Sequence, residues 1–192
     1  KIKIIKQMKN KNFIESYIKN FTNILKFKED FFSNILRVKK ILLDIKKRNK
    51  KVLIFGNGGS AAIASHFSVD LTKNTKIRCV NFNESDLITC FANDYGYKEW
   101  VRKAVEFYGD KGDVGIFISS SGKSQNIING CHAAKKKKFK NIITFSGFKK
   151  NNHLRKSGNI NFWVDSSKYN LVENVHQFWL LLIVDLIAKD IK

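Results

Sequence analysis

The sequence has no proline in 192 residues, where ordinary usage of roughly 5% would supply about ten. Proline-rich ligand motifs and proline-stiffened linkers are therefore excluded. Cysteine is scarce too: Cys79, Cys90 and Cys131 show neither CxxC nor zinc-site spacing, and an odd count argues against a disulfide framework. The longest apolar stretch, residues 178–188, is interrupted by Asp185 and falls far short of the ~20 residues a bilayer span needs. The first residues lack the apolar segment and small-residue cleavage site of a secretory signal. These absences predict a cytoplasmic protein with no membrane partner.

Acidic residues are also few, 16 against 36 basic ones, for a formal net charge of +20. Such a surplus invites a nucleic-acid reading. Yet 31 of the 36 cations are lysine and only 5 are arginine, whereas phosphate and base readers favour the arginine fork. Abundant lysine, asparagine and isoleucine together read as a compositional bias spread over solvated surface. The excess is concentrated at one end, where residues 1–51 carry 16 basic and 4 acidic side chains. Nucleic acid is not the expected partner.

What is present is enough for a core, because 43% of the residues are hydrophobic and 12% aromatic. Ile14, Tyr17, Ile18, Phe21, Ile24 and Leu25 keep the spacing of one helical face, as do Phe31, Phe32, Ile35, Val38, Leu42 and Ile45. From Lys51 onward the pattern changes. Short runs rich in β-branched and aromatic residues at 52–55, 77–82, 114–119, 142–145 and 160–164 read as strands. They alternate with helical stretches near 59–73, 85–92, 97–108, 123–138, 150–157 and 170–190. Alternation of this kind predicts parallel pairing through right-handed crossovers. The expectation is one α/β domain over 1–192, a three-layer α/β/α sandwich on a five-stranded parallel sheet. Residues 1–50 form an N-terminal helical hairpin and 51–192 the core. The last helix is apolar around most of its circumference, which predicts burial, partly against another subunit.

Ligands of open α/β sheets bind beyond the carboxyl ends of the strands. After the first strand stands Gly56-Asn57-Gly58-Gly59-Ser60, where glycines let backbone N–H groups approach an anion at a helix start. The spacing is not GxGxxG and no Walker lysine follows, so no nucleotide cofactor is expected. A plain glycine turn capped by Ser60 is the structural alternative. After the third strand stands Ser119-Ser120-Ser121-Gly122-Lys123-Ser124. Four hydroxyls at a positive helix end suit a phosphate monoester, and exceed what one helix cap requires.

Four segments carry a resemblance to a known family: GNGGSAAIASHFSVDL at 56–71, TCFANDYGY at 89–97, GIFISSSGKSQNII at 115–128 and LVENVHQFWLLLI at 171–183. The chain from about residue 35 onward resembles the sugar-isomerase (SIS) family, and within it the phosphoheptose isomerases. The resemblance implies a phosphosugar-binding fold and a homotetramer with active sites built across subunits. It also implies conversion of sedoheptulose 7-phosphate to D-glycero-D-manno-heptose 7-phosphate, toward the heptose of bacterial surface polysaccharide. Carried over by position, Asn57, Gly58 and Gly59 match the family's sugar-contacting turn, and Asn93 and Asp94 its second polar contact. Ser119, Ser120, Ser121 and Ser124 match its phosphate serines.

The catalytic and metal positions depart from the family pattern. A histidine and a glutamate one helical turn apart appear here as His66 and Asp70, so the carboxylate is one methylene shorter. A glutamine of the last helix is Glu173, and the catalytic histidine eight residues later is Leu181. Leucine neither transfers a proton nor binds a metal. The residues left for acid–base work are Asp70, Glu173 and His176; those left for zinc are His66, Asp70 and Glu173, an incomplete set. Glu173 also stands among the substrate contacts. The resulting expectation is a sugar-phosphate isomerase; the alternative, motivated by Leu181, is a non-catalytic phosphosugar-binding or regulatory protein of the same fold. His132 and His153 lie outside these segments and are read as surface residues.

Overall fold

Residues 2–25 and 29–191 are described by the computed structural model; of the expected domain, residues 1, 26–28 and 192 lie outside the described residues. The apolar runs form strands β1 (Val52–Phe55), β2 (Cys79–Asn81), β3 (Val114–Ser119), β4 (Asn141–Ser146) and β5 (Ile160–Trp163). All neighbouring strands pair in parallel, in the order β2-β1-β3-β4-β5. The helices are α1 (Ile2–Ile24), α2 (Glu29–Lys47), α3 (Gly59–Thr75), α4 (Ser85–Tyr95), α5 (Trp100–Tyr108), α6 (Gln125–Lys136), α7 (His153–Ser157) and α8 (Tyr169–Ala188).

The three central strands are buried on both faces because helices cover both. Val52 and Ile54 of β1, with Val114, Ile116 and Ile118 of β3, point into one apolar cluster beneath α2, α3 and α8. Leu53, Phe55 and Phe117 point the other way, into a cluster under α5, α6 and α7, against which Leu87, Ile88 and Phe91 of α4 also pack. This two-sided burial explains why the strands read as continuous apolar runs rather than alternating ones. β2 is shorter than its 77–82 run suggests and pairs only with β1, as expected of an edge strand.

Two helices differ instructively from their sequence patterns. The first begins at Ile2, twelve residues before the apolar face that announces it, since no glycine or proline intervenes to stop it. Only Phe21, Ile24 and Leu25 of that face reach the core; Ile14 and Ile18 stay 56% and 59% exposed in the single chain. Helix α8 has the length and mean hydropathy (1.5) of a bilayer span, yet half of that window is buried in the protein. Its apolarity belongs to the core, where Leu171, Val175, Leu180 and Val184 pack against the sheet and α3.

The end of the sheet away from the strand carboxyl termini is pinned by a fully buried carboxylate, Asp113. It accepts from the Lys51 backbone N–H at 3.1 Å and the Asp110 N–H at 2.9 Å, and pairs with Lys51 Nζ at 2.8 Å. With every oxygen partnered, this group has a structural rather than chemical use.

Candidate functional site

Parallel pairing of β1 with β3, in register from Val52↔Val114 to Phe55↔Phe117, puts the glycine turn and the serine loop side by side at the strand carboxyl ends. Each loop leads into a helix whose first N–H groups have no side-chain cap. In α3 the N-cap residue is Gly58, with φ +55° and no capping side chain. Ser60, the cap in the plain-turn alternative, lies inside the helix and is buried. In α6 the N-cap is Ser124, whose hydroxyl does not cap but receives a hydrogen bond from Ser119 Oγ at 3.0 Å. Two uncapped helix starts side by side form an anion-binding surface.

The serine loop is held rigidly from behind. Gly122 adopts φ +65°, and a Cβ there would lie 2.1 Å from Asn152 Oδ1. Asn152 is itself buried, accepting from Arg155 N at 2.9 Å and donating to Lys149 O at 2.9 Å and Ser146 Oγ at 3.1 Å. Leu154 N–H closes the brace on Gly122 O at 3.1 Å.

Glu173 belongs to this cradle. It projects from α8 over the start of α3, where a Cβ on Gly59 would sit 2.3 Å from its Oε2, and Ser120 Oγ donates to its Oε1 at 3.5 Å. Only glycine at position 59 leaves room for it. A carboxylate at a helix N-terminus is favourably placed by the macrodipole, so α3's positive end faces the Glu173 carboxylate.

The other sequence candidates fall elsewhere. His66 and Asp70 meet on α3, with His66 Nε2 3.3 Å from Asp70 Oδ2. The opposite ring nitrogen, Nδ1, lies 3.2 Å from Gln177 Nε2 of α8. An amide nitrogen can only donate, so Nδ1 accepts and Nε2–H points at Asp70. Asp70 follows Gly59 by eleven residues, about 16 Å along the helix axis at 1.5 Å per residue. Asp70 therefore stands well along α3 from the glycine turn, and among the described residues no three His, Cys, Asp or Glu side chains are placed to hold a metal ion. Within the single chain the expected zinc trio of His66, Asp70 and Glu173 is not drawn together among the described residues.

His176, a catalytic candidate by sequence, is in the core. It is fully buried against Phe145 and Trp179, its Nε2–H donates to Ser146 O at 3.1 Å, and its Nδ1 has no partner among the described residues. Burial pushes its pKa down from 6.5 to about 4, against a smaller opposing effect of the Ser146 bond. His176 lies only about 60° around the helix from Glu173, but that turn carries it from the cradle onto the arc facing the core, a difference that i,i+3 spacing alone does not reveal. Asn93 and Asp94 bond each other at 3.0 Å at the exposed end of α4. The side chain of that segment that reaches the cradle is Tyr97, whose hydroxyl donates to Asn57 Oδ1 at 3.3 Å. Tyr97, Asn126 and Gln177 were not singled out by sequence; only their membership in the matched segments pointed toward them. A cavity of about 630 Å³ lies away from these loops, between α1–α2 and the end of β5, lined by Trp163, Trp179 and Arg155 among others.

The comparisons agree with this geometry. Residues 16–146 match the SIS domain. A phosphoheptose isomerase from Fusobacterium nucleatum is 32% identical over 182 residues, spanning 91% of this chain and 92% of that protein. The structure of the Neisseria gonorrhoeae phosphoheptose isomerase superposes with a TM-score of 0.81 at 25% identity, over 96% of this chain and 99% of the other. That of Francisella tularensis, at 22% identity and TM-score 0.82 over 96% and 98%, shares the fold. A parallel sheet with paired glycine and serine cradles, matched along nearly its whole length, makes this chain a member of the SIS-domain family and, within it, an isomerase of the phosphoheptose isomerase group.

Proposed function

We propose that this sugar-phosphate isomerase interconverts sedoheptulose 7-phosphate and D-glycero-D-manno-heptose 7-phosphate in the cytoplasm, supplying heptose for bacterial surface polysaccharide. The observation that carries the reading is the division of labour between the two helix starts. The α6 end, with Ser119, Ser121 and Ser124, takes the phosphate; the α3 end already holds Glu173. A phosphate bound there lays the sugar across Asn57, Gly58 and Gly59, toward that carboxylate.

Aldose–ketose isomerisation moves one proton between adjacent carbons through an enediol, with a second proton exchanged between the two oxygens. Glu173 is the carboxylate within reach in the same chain and acts as the base. The His66–Asp70 pair, about 10 Å (His66) and about 16 Å (Asp70) along α3 from the turn, serves the site of a second copy. There His66 Nε2–H steadies the Asp70 carboxylate while Gln177 fixes the ring. A homotetramer fits the exposed apolar side chains of the N-terminal hairpin, Phe13, Ile14, Ile18, Phe32 and Leu36. The surplus of lysine draws the anionic substrate toward the cleft. No step of this scheme runs through a metal.

A coupled isomerase assay on sedoheptulose 7-phosphate, with and without zinc, tests the reading. Turnover by the wild-type protein is expected, with kcat reduced about 100-fold or more in Glu173→Gln and in Asp70→Asn. Mixing the two inactive variants as co-refolded oligomers restores part of the activity if the sites are shared between copies. Binding of the sugar phosphate without any turnover would instead support the non-catalytic alternative suggested by Leu181.

A further inference from the structure

The side chain of Asn57, in the glycine turn, is locked by a partner that neither loop motif includes. Asn57 Nδ2 donates to Asn126 Oδ1 at 3.0 Å, and Asn126 Nδ2 donates back to Asn57 Oδ1 at 2.9 Å. The two amides thus form a closed, reciprocal pair. Tyr97 Oη adds a third bond, donating to the same Asn57 Oδ1 at 3.3 Å. An asparagine side chain offers two N–H groups and an oxygen with two lone pairs. Both lone pairs of Asn57 are used, as is one N–H. What remains is a single N–H, held in the plane of the pair.

The three residues come from three different segments. Asn57 follows β1, Tyr97 lies between α4 and α5, and Asn126 is in the first turn of α6, two residues beyond the phosphate-loop Ser124. Asn126 is only 3% exposed, so it has little surface with which to meet a ligand itself. It acts on the sugar turn from behind while riding on the helix whose start forms the phosphate cradle. Its effect is to set one fixed distance and direction between the two loops.

We infer that Asn126, assisted by Tyr97, is a positioning residue for the isomerase: it holds Asn57 as a one-directional hydrogen-bond donor to an oxygen of the sugar and registers that donor against the bound phosphate. This rests on the functional reading above. It distinguishes two parts of the ligand, because the bracket orients what contacts the sugar and leaves the serine contacts to phosphate unchanged.

The test uses the full-length protein and two probes, sedoheptulose 7-phosphate and inorganic phosphate, with calorimetric binding and steady-state kinetics on Asn126→Leu, Tyr97→Phe, Asn57→Ala and the double variant Asn57→Ala/Asn126→Leu. Asn126→Leu is expected to weaken sugar-phosphate binding about tenfold, the scale of one misdirected hydrogen bond, while inorganic phosphate binds as in the wild type. Tyr97→Phe, which removes one surface hydroxyl and no packing, is expected to lose about threefold for the sugar phosphate alone. In the double variant the Asn126 substitution adds nothing further, since it acts only through Asn57. Parallel losses for both probes, additive losses in the double variant, or a Tyr97→Phe protein unchanged for the sugar phosphate would overturn the inference while leaving the functional reading in place. A wild-type protein that binds phosphate but no sugar phosphate would overturn both.

Discussion

His176 decides between the sequence reading and the structure, and its titration provides the measurement. In the unfolded chain its imidazole has a pKa near 6.5; in the folded protein burial lowers this to about 4. Protons therefore bind the unfolded state more readily between those values, and stability falls as pH drops from 6.5 toward 4. The gap of roughly 2.5 units, at 1.36 kcal/mol each, corresponds to about 3 kcal/mol once both limits are passed. At pH 5 about 2 kcal/mol of this is already lost relative to pH 7.5. His176→Gln keeps a nitrogen donor for Ser146 O and cannot titrate, so its stability should fall about 2 kcal/mol less than wild type over the same interval. Urea unfolding at pH 7.5 and pH 5 measures the difference directly. His176→Gln should also retain isomerase turnover within a few-fold at pH 7.5. Identical pH dependence in the two proteins, together with a 100-fold loss of turnover in the variant, would show an accessible, working histidine and refute its burial.

Further outcomes concern the cradle and the packing behind it. Gly122→Ala places a Cβ at φ +65° and 2.1 Å from Asn152 Oδ1; left-handed backbone alone costs about 1–2 kcal/mol, and calorimetry should show phosphate affinity falling more than tenfold in a protein that still folds by circular dichroism. Gly59→Ala would drive the Glu173 carboxylate from the α3 start, since the new methyl would lie 2.3 Å from its Oε2; kcat should fall as in Glu173→Gln, while inorganic phosphate binding persists. Gly130→Ala sets a Cβ 2.3 Å from Val101 Cγ1 between α5 and α6; thermal unfolding should register a loss of about 1–3 kcal/mol, largely relieved when Val101→Ala is added.

Much of the architecture was present in the linear pattern because it depends on local chemistry. Runs such as residues 52–55 and 114–119 are apolar on both pleat faces, which only a helix-covered parallel sheet satisfies. The Gly-Asn-Gly-Gly and Ser-Ser-Ser-Gly loops carry their anion-binding capacity in their own backbones and hydroxyls, and the matched segments were enough to place the chain in its family.

What the sequence could not supply was direction. Glu173, His176 and Gln177 lie within five residues on one helix, yet Glu173 faces the glycine turn, His176 the core, and Gln177 the His66 ring. A helix turns about 100° per residue, and which arc meets which neighbour is set by how α8 is seated against α3 and β4. The Asn57–Asn126–Tyr97 bracket is likewise invisible in one dimension, since its members are 40 and 69 positions apart. Composition and local motif determined the fold class and the two cradles; the packing of elements distant in sequence decided which side chains share them.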